Sequence, residues 1–325
     1  MKSKISVALC TYNGEKFIEE QLDSILNQTI AVDEIIICDD CSNDNTIPII
    51  KKYIEKKSSL FKLYCNEVNL KSNANFEKAL QLTTGDYIFF SDQDDVWRSD
   101  KVEKILSVFE TNEKADGVFS NSNFIDENSN SIYKNLTLWD FVCFFENENY
   151  NADNLIKLLI FKGNYLTGAT LCIKKEVKTC CIPFKTGDDF IHDEWIAFFL
   201  ANKKTLYYST ENLISYRIHS NQQLGLGSIS DTSRIKKENF NSYNLTLENK
   251  KPNSFKDYKM TTRAFFFQYE KYKKLSEKYK DTLFFETKEM LLNKYIDENK
   301  KMMKYNPILY FFRKMKDKRK GKRKL

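Results

Sequence analysis

Three short apolar runs, each followed by a polar loop, constrain the fold of this chain more than any other feature. The runs cover residues 5–10, 34–38 and 88–90. Continuous apolar runs of this kind are typical of strands that are buried on both faces of a parallel sheet. Apolar residues at helical spacing follow the first two runs, at 15–28 and around 49–54. This alternation of strand and helix predicts a βαβ series.

The loops after the three runs are the expected place for a ligand. They cover residues 11–14, 39–44 and 92–95, and the last one carries three aspartates. In an open parallel sheet, ligands bind beyond the carboxyl ends of the strands, so the three loops should meet at one crevice. Carboxylates this close repel one another unless a counter-charge arrives, which a hard divalent cation with a bound phosphate would supply. A plain acidic turn is the simpler alternative, and the two other polar loops favour the cation.

Two common nucleotide-binding classes are disfavoured by what the sequence lacks. No G-x-G-x-x-G pattern follows the first run, and no G-x-x-x-x-G-K pattern occurs in the chain. These patterns are the fingerprints of dinucleotide-binding folds and of P-loop nucleotidases. We therefore expect neither a dehydrogenase nor a P-loop enzyme.

Three ordered segments, VALCTYNG at 7–14, CDDCSND at 38–44 and SDQDDVW at 91–97, resemble the family 2 glycosyltransferases of GT-A fold. The third is most similar to bacterial rhamnosyltransferase-like enzymes of surface polysaccharide synthesis. The resemblance implies an α/β fold with a Rossmann-like, mostly parallel sheet flanked by helices. It also implies inverting, metal-dependent transfer of a sugar from a nucleotide-diphosphate donor, dTDP-rhamnose or a UDP-sugar. The acceptor would be a hydroxyl of a lipid-linked or growing cell-surface glycan.

The resemblance also implies a set of residues that bind the nucleotide. Thr11 and Tyr12 would lie around the base, and Asn13 belongs to the same donor-binding loop. Asp39 would accept the imide N–H of the base, which favours uracil or thymine. Asp92 would face the ribose.

The metal site that the resemblance implies is built from Asp94 and His219, with Mn²⁺ or Mg²⁺ as the ion. Both ions accept oxygen ligands, and Mg²⁺ typically binds through one or two carboxylates together with substrate phosphates. Arg217, beside His219, could pair with a phosphate. For Asp95 we favour a role as cap of the helix that begins near Asp100, with support of the metal site as the alternative.

An inverting transferase also needs a carboxylate base on the side opposite the leaving diphosphate. Asp193 precedes a strongly apolar helical stretch at 196–201, where the family's pattern places its base. The simpler alternative is that Asp193 only caps this helix. We favour Asp193 as the base, with Glu194 as the next candidate.

The chain shows no sign of export or membrane insertion. Its eight cysteines are dispersed, no signal peptide is recognisable, and no apolar stretch reaches the 18 residues that span a bilayer. Cys38 and Cys41 lack a second pair of ligands that a zinc site would need. We expect a cytoplasmic protein, peripheral at the inner face of the cell membrane.

Sequence composition divides the chain into three parts. We expect a GT-A domain at 1–222, a helical region at 223–312 and a basic tail at 313–325. Within the helical region, helix-forming stretches are predicted near 234–248, 257–279 and 281–303.

The tail carries nine Lys or Arg and one Asp, a net charge of +8 against +6 for the whole chain, so residues 1–312 carry about −2. Aromatic and aliphatic residues at 308–312 precede it. This pattern favours an anchor on an anionic membrane surface, with solvated disorder or a nucleic-acid tail as alternatives. We expect the membrane partner and no nucleic acid.

Two other functions stay open at this stage. A catalytically silent homologue would bind the nucleotide sugar or glycan without transferring it. A nucleotidyltransferase has a related sheet, but such enzymes usually begin with a Gly-rich, basic loop that residues 11–15 do not resemble.

Overall fold

The computed structural model describes residues 3–142, 144, 152–186, 190–220, 222 and 252–319. The chain forms two compact units. The first contains residues 1–159 and 164–232, and the second contains residues 160–163 and 233–325. The predicted helix near 234–248 lies outside the described residues, as do Cys143 and residues 320–325 of the basic tail.

The first unit is built on one mixed sheet of nine strands within the described residues, in the order β3-β2-β1-β4-β8-β6-β9-β5, with β7 paired to β6. The strands are β1 Ile5–Thr11, β2 Glu34–Asp39, β3 Phe61–Cys65, β4 Tyr87–Ser91, β5 Val96–Trp97, β6 Gly117–Ile125, β7 Ser131–Ile132, β8 Leu171–Lys174 and β9 Leu206–Arg217. The three strands predicted from apolar runs are confirmed as β1, β2 and β4.

Helices follow the strands as the βαβ pattern predicts. In the first unit they are α1 Ile18–Leu26, α2 Thr46–Lys56, α3 Lys71–Leu82, α4 Lys101–Thr111, α5 Leu138–Phe141, α6 Ala152–Lys162, α7 Lys175–Cys181 and α8 His192–Asn202. α6 extends into the second unit. Both β1 and β2 are buried along their whole length, which explains why apolar residues fill most of each strand.

The direction of the strands decides which loops share an edge of the sheet. Strands β1, β2, β3 and β4 are parallel, so the loops after β1, β2 and β4 emerge at the same edge. β8 runs antiparallel to β4, and its first residues therefore lie at the end of β4. β6 is antiparallel to β8 and parallel to β9, which brings the end of β9 to this edge as well. We call this edge, where the carboxyl ends of β1, β2 and β4 lie, the loop edge.

The second unit contains three described helices, α9 Phe255–Tyr279, α10 Thr282–Tyr305 and α11 Pro307–Arg319. The predicted helices at 257–279 and 281–303 correspond to α9 and α10. Helix α11 crosses residue 313, where the basic tail was expected to begin. Among the described helices, none combines the length and apolarity that crossing a bilayer requires.

The edge of the sheet opposite the loop edge is held by one buried carboxylate. Glu34, at the start of β2, accepts hydrogen bonds from Ser6 Oγ at 2.7 Å, from Thr84 N at 2.7 Å and from Lys62 Nζ at 3.0 Å. Burial acts to raise the pKa of Glu34, but the hydrogen bonds from Ser6, Lys62 and Thr84 outweigh it and lower that pKa to about 2. The ionised form therefore stabilises the fold.

We predict that Glu34→Gln lowers the free energy of unfolding by about 1–3 kcal/mol at pH 7, because the amide cannot accept all three hydrogen bonds. Because the pKa of Glu34 is lower in the folded state, its contribution to stability is complete above the unfolded pKa of 4.5. This contribution is lost as the pH falls towards 2. The difference in free energy of unfolding between parent and variant, measured with urea, should thus be smaller at pH 3 than at pH 7. The exposed Glu55→Gln is the control, with an expected change within about 0.5 kcal/mol. An equal loss for Glu34→Gln at both pH values would contradict this account.

Candidate active site

A cavity of about 880 Å³ opens in the first unit and is lined by residues of the loop edge. Its wall includes the loops after β1, β2 and β4, residues 164–168 and the start of α8. Most of the site residues that the sequence predicts line this cavity, namely Thr11, Tyr12, Asn13, Asp92, Asp94, Asp193 and His219. The predicted residues Asp39 and Arg217 do not belong to its lining.

Asp39 lies behind the cavity wall. It pairs with Thr11 across β1 and β2, and its carboxylate accepts Thr11 Oγ1 at 2.7 Å. The same carboxylate accepts Ser42 N at 2.9 Å and Ser42 Oγ at 2.6 Å. The predicted contact of Asp39 with a base stays a prediction.

A reciprocal hydrogen bond joins the first and third loops. Tyr12 N donates to Oε1 of Gln93 at 2.8 Å, and Nε2 of Gln93 donates to Tyr12 O at 3.0 Å. A Cβ at Gly14 would overlap the side-chain amide of Gln93, so a larger residue there would displace Gln93 from this contact. Asn13 adopts φ +49°, a left-handed conformation that asparagine tolerates well. Gln93 was not singled out from the sequence, because its role depends on the distance between two loops.

The predicted metal ligands are in direct contact. Nε2 of His219 lies 2.9 Å from Oδ2 of Asp94. The His219 ring also packs against Phe17, with 4.7 Å between the ring centroids. The two residues are 125 positions apart, and the antiparallel pairing of β5 with β9, which places Val96 opposite Ser215, brings them together. This contact joins the end of β9 to residues 92–95, which we call the acidic loop.

Arg217 is fully buried and holds the acidic loop from behind. Its Nε donates to the carbonyl oxygen of Asp94 at 2.6 Å, and its NH2 group donates to Glu20 at 2.6 Å. Its NH1 group donates to Asp126 O at 2.9 Å. The guanidinium does not face the cavity. Arg217 therefore positions Asp94, and its placement gives no support to the expected pairing with a phosphate.

Asp95 has a different role from the helix cap that we expected. The N-cap residue of α4 is Asp100, so the capping prediction for Asp95 is wrong. Oδ1 of Asp95 accepts the backbone N–H of Arg217 at 3.0 Å. Oδ2 of Asp95 is buried and has no hydrogen-bond partner within the part of the chain that the structure describes. Burial, with the charges of Asp94 and Asp92, raises the pKa of Asp95 well above its usual value.

A buried lysine lies beneath the acidic loop. The side chain of Lys101 donates from Nζ to Ala169 O at 2.7 Å and lies over the Trp97 ring at 3.8 Å. Burial lowers the pKa of Lys101 to about 7, although the nearby charges of Asp95 and Asp92 act to raise it. The spacing of Lys101, Ile105 and Phe109 places all three on the apolar face of α4, which is the signal that could have predicted this burial. Burial also raises the pKa of Asp92, together with the charges of Asp94 and Asp193.

Asp193 is the second residue of α8 and does not cap it, since the N-cap position belongs to Ile191. Its Oδ2 accepts Gly168 N at 2.9 Å, and its Oδ1 accepts Nδ2 of Asn164 at 3.0 Å. Burial raises the pKa of Asp193 to about 6, against the opposite effect of these hydrogen bonds. A carboxylate with this pKa in a cavity is well suited to take a proton near neutral pH.

His192, beside Asp193, also lines the cavity. Its ring stacks on Phe76 with 4.2 Å between the centroids, and burial lowers the pKa of His192 to about 3. The imidazole is therefore neutral at physiological pH. A Cβ at Gly168 would lie 2.9 Å from Nε2 of His192, so glycine allows the turn at 168–170 to approach the ring.

The donor atoms at the cavity suit a divalent ion that shares its coordination with a substrate. Within the described ranges, no group of three or more His, Cys, Asp or Glu side chains is placed to hold a metal. The contact between Asp94 and His219 supplies one carboxylate and one imidazole. Mn²⁺ accepts both donor types, and phosphate oxygens and water commonly complete such sites. The residues present therefore fit an ion that binds together with a diphosphate.

Comparisons with known proteins identify the family. A family model for glycosyl transferase family 2 matches residues 6–161. An uncharacterised glycosyltransferase of Methanocaldococcus jannaschii is 31% identical over 245 residues, which are 74% of this chain and 78% of that protein. The dTDP-rhamnosyl transferase RfbG of Shigella flexneri is 30% identical over 236 residues, 67% of this chain and 73% of that one.

The chain belongs to glycosyltransferase family 2. It is thus a nucleotide-sugar-dependent glycosyltransferase, as its sequence motifs predicted. This chain is similar to S. aureus TarS 1–349 in complex with UDP-GlcNAc, with a TM-score of 0.51 and 15% identity. The match covers 99% of this chain and 93% of that one. Mannosyltransferase PcManGT from Pyrobaculum calidifontis, in complex with GDP-Man and Mn²⁺, gives a TM-score of 0.50 and 16% identity, over 83% and 70% of the two chains. The predicted GT-A fold is confirmed.

We predict that Asn164→Ala moves the acidic limb of the transferase's pH–rate profile to higher pH. The amide of Asn164 stabilises the charged form of Asp193, so its loss should raise the pKa of Asp193 above the present value of about 6. The measurement is kcat/KM between pH 5 and 9. Asn202→Ala is the matched control, because Asn202 donates to Phe198 O at the other end of α8. If the acidic limb of Asn164→Ala lies at the same pH as that of the parent, Asp193 does not set the pH–rate profile.

Proposed function

We propose that the protein transfers a sugar, with inversion at the anomeric carbon, from a nucleotide diphosphate to a hydroxyl of a lipid-linked or growing cell-surface glycan. The observation that carries this proposal is that one cavity holds both Asp193, with its raised pKa, and the contact between Asp94 and His219. One side of the cavity is suited to accept a proton, and the other is suited to bind a diphosphate with its cation.

The nucleotide would bind over the loops after β1 and β4. Thr11, Tyr12 and Asn13 line this side of the cavity, and Asp92 lies next along the acidic loop. The reciprocal bond between Tyr12 and Gln93 would fix the distance between these loops. We propose dTDP-rhamnose or a UDP-sugar as the donor, and the likeness to a dTDP-rhamnosyl transferase supports the first.

Asp94 and His219 would hold a Mn²⁺ or Mg²⁺ ion together with the diphosphate. When bound, such an ion offsets the negative charge of the leaving diphosphate. Arg217 would keep Asp94 in place through its backbone carbonyl, and Phe17 would restrict the His219 ring. The side chains of the chain itself thus orient the leaving group before reaction.

Asp193 would act as the general base. It takes the proton of the acceptor hydroxyl while the acceptor oxygen forms a bond to the anomeric carbon. The bond from that carbon to the diphosphate oxygen breaks, and its electron pair leaves with the diphosphate. The hydrogen bonds from Gly168 N and Asn164 keep both carboxylate oxygens oriented before the proton arrives.

A ligand screen tests the donor. A thermal-shift series should compare UDP-sugars and dTDP-sugars, each with and without Mn²⁺, because a ligand that binds only the folded state raises its stability by mass action. A donor that stabilises the protein then enters a donor-hydrolysis assay. Binding without any hydrolysis or transfer would favour the catalytically silent homologue.

We predict that Asp94→Ala abolishes transfer and the Mn²⁺-dependent part of nucleoside diphosphate binding. The change removes one of the two proposed ligands, whereas the backbone carbonyl that Arg217 contacts remains. Calorimetric titration of the nucleoside diphosphate with and without Mn²⁺ measures the effect. Asp297→Ala is the control, since this exposed carboxylate lies in the second unit, 4.0 Å from Lys300. Metal-stimulated turnover in Asp94→Ala would reject the assignment.

We predict that Asp193→Asn lowers turnover by roughly 10² or more while donor binding persists, because an amide cannot take the proton. Gly168 N and Asn164 each donate to one oxygen of Asp193. The asparagine variant keeps only one of these two contacts, so unfolding curves must accompany the kinetics. Near-normal turnover in a folded Asp193→Asn would mean that the base lies elsewhere, and Glu194 would be tested next.

A further inference from the structure

The last described helix, α11, exposes four large apolar side chains on one face. Ile308 is 69% exposed, Phe311 60%, Phe312 62% and Met315 40%. Residues three, four and seven positions apart lie on the same side of a helix, so the four form a continuous stripe. We call it the α11 stripe.

The opposite face of α11 is turned toward the rest of the second unit. Arg313 is largely buried there, and its NH1 group lies 2.7 Å from Sδ of Met302 in α10. Its Nε lies 3.6 Å from Asp317, one turn further along. These contacts fix the rotation of α11, so the direction of the α11 stripe follows from the packing of the helix.

Exposed lysines flank the α11 stripe on both sides. At about 100° per residue, Lys314 and Lys318 lie on one side of the stripe and Lys316 lies on the other. All three are exposed. The sequence beyond α11 adds Lys320, Lys322, Arg323 and Lys324. An apolar face bordered by cations is the pattern of helices that lie in the plane of a membrane interface.

We propose that the α11 stripe docks on an anionic lipid surface, with the apolar side chains at the boundary of headgroups and acyl chains. The flanking lysines would meet the lipid phosphates. Charge complementarity favours this partner over a second copy of the chain, because a symmetric pair of stripes would bring the lysines of both copies together. Association is peripheral, since no described helix is able to span a bilayer.

Membrane docking does not depend on the transferase activity, so the two proposals can fail separately. If both hold, docking places the enzyme at the surface where lipid-linked glycans reside. The test therefore uses vesicles and the full-length protein with no nucleotide sugar present.

Cosedimentation with vesicles of phosphatidylcholine, with and without 30% phosphatidylglycerol, measures the membrane partition coefficient. The parent protein should bind the anionic vesicles and not the zwitterionic ones. Phe311→Ser with Phe312→Ser should lower the partition coefficient about tenfold or more, because two exposed aromatic rings no longer enter the interface. The matched control is Phe267→Ser with Phe285→Ser, since these phenylalanines are 56% and 52% exposed on α9 and α10.

Charge is tested separately. Lys314→Gln, Lys316→Gln and Lys318→Gln together should weaken binding by roughly fivefold per lysine in dilute salt and by less at higher ionic strength. The same change at three exposed lysines elsewhere in the unit, Lys256, Lys259 and Lys304, should weaken binding less. Equal losses in both triple variants would show that total charge, and not the α11 stripe, controls binding.

A reporter measures insertion directly. Phe312→Trp should show a blue-shifted emission on anionic vesicles, whereas the native tryptophans, Trp97, Trp139 and Trp195, are buried in the first unit. The proposal is overturned if the Phe311→Ser, Phe312→Ser variant binds anionic vesicles as tightly as the parent. It is also overturned if the parent binds no anionic vesicles. Loss of self-association in the same double variant, seen by light scattering, would then identify a second copy as the partner.

Discussion

Repulsion among the aspartates of the loop edge is the physical constraint on which the rest of the site depends. Strand direction brings Asp92, Asp94 and Asp193 to one cavity, although Asp193 is about a hundred positions away from the other two. Burial, together with the charges of Asp94 and Asp193, raises the pKa of Asp92. A divalent ion with a bound phosphate would relieve the repulsion between these carboxylates, which supports the proposed ligand.

Two buried basic side chains, Arg217 and Lys101, lie near the acidic loop, and Arg217 bonds it directly. Arg217 reaches the backbone carbonyl of Asp94 and the carboxylate of Glu20, which leaves the Asp94 carboxylate to His219 and the cavity. Lys101 donates to Ala169 O, next to the Gly168 amide that orients Asp193. Burying two cations is costly unless each is well bonded.

Local patterns predicted the fold well and the site in part. The strands at 5–11 and 34–39 and the helices of the βαβ series follow from apolar periodicity, which depends only on neighbouring residues. Short-range reasoning failed where a side chain has a distant partner. Asp95 was expected to cap α4, five residues away from the actual cap, and instead bonds the backbone of Arg217. Arg217 was expected at a phosphate and instead lies beneath the acidic loop.

Contiguous residues with a fixed period or spacing are enough to predict the family, the parallel strands and the acidic loop after β4. Which distant groups meet depends instead on the tertiary structure. The contact of His219 with Asp94, the burial of Arg217 and Lys101, and the raised pKa of Asp193 all depend on strand order and on desolvation. Desolvation is a property of everything packed around a group, and no local pattern contains it.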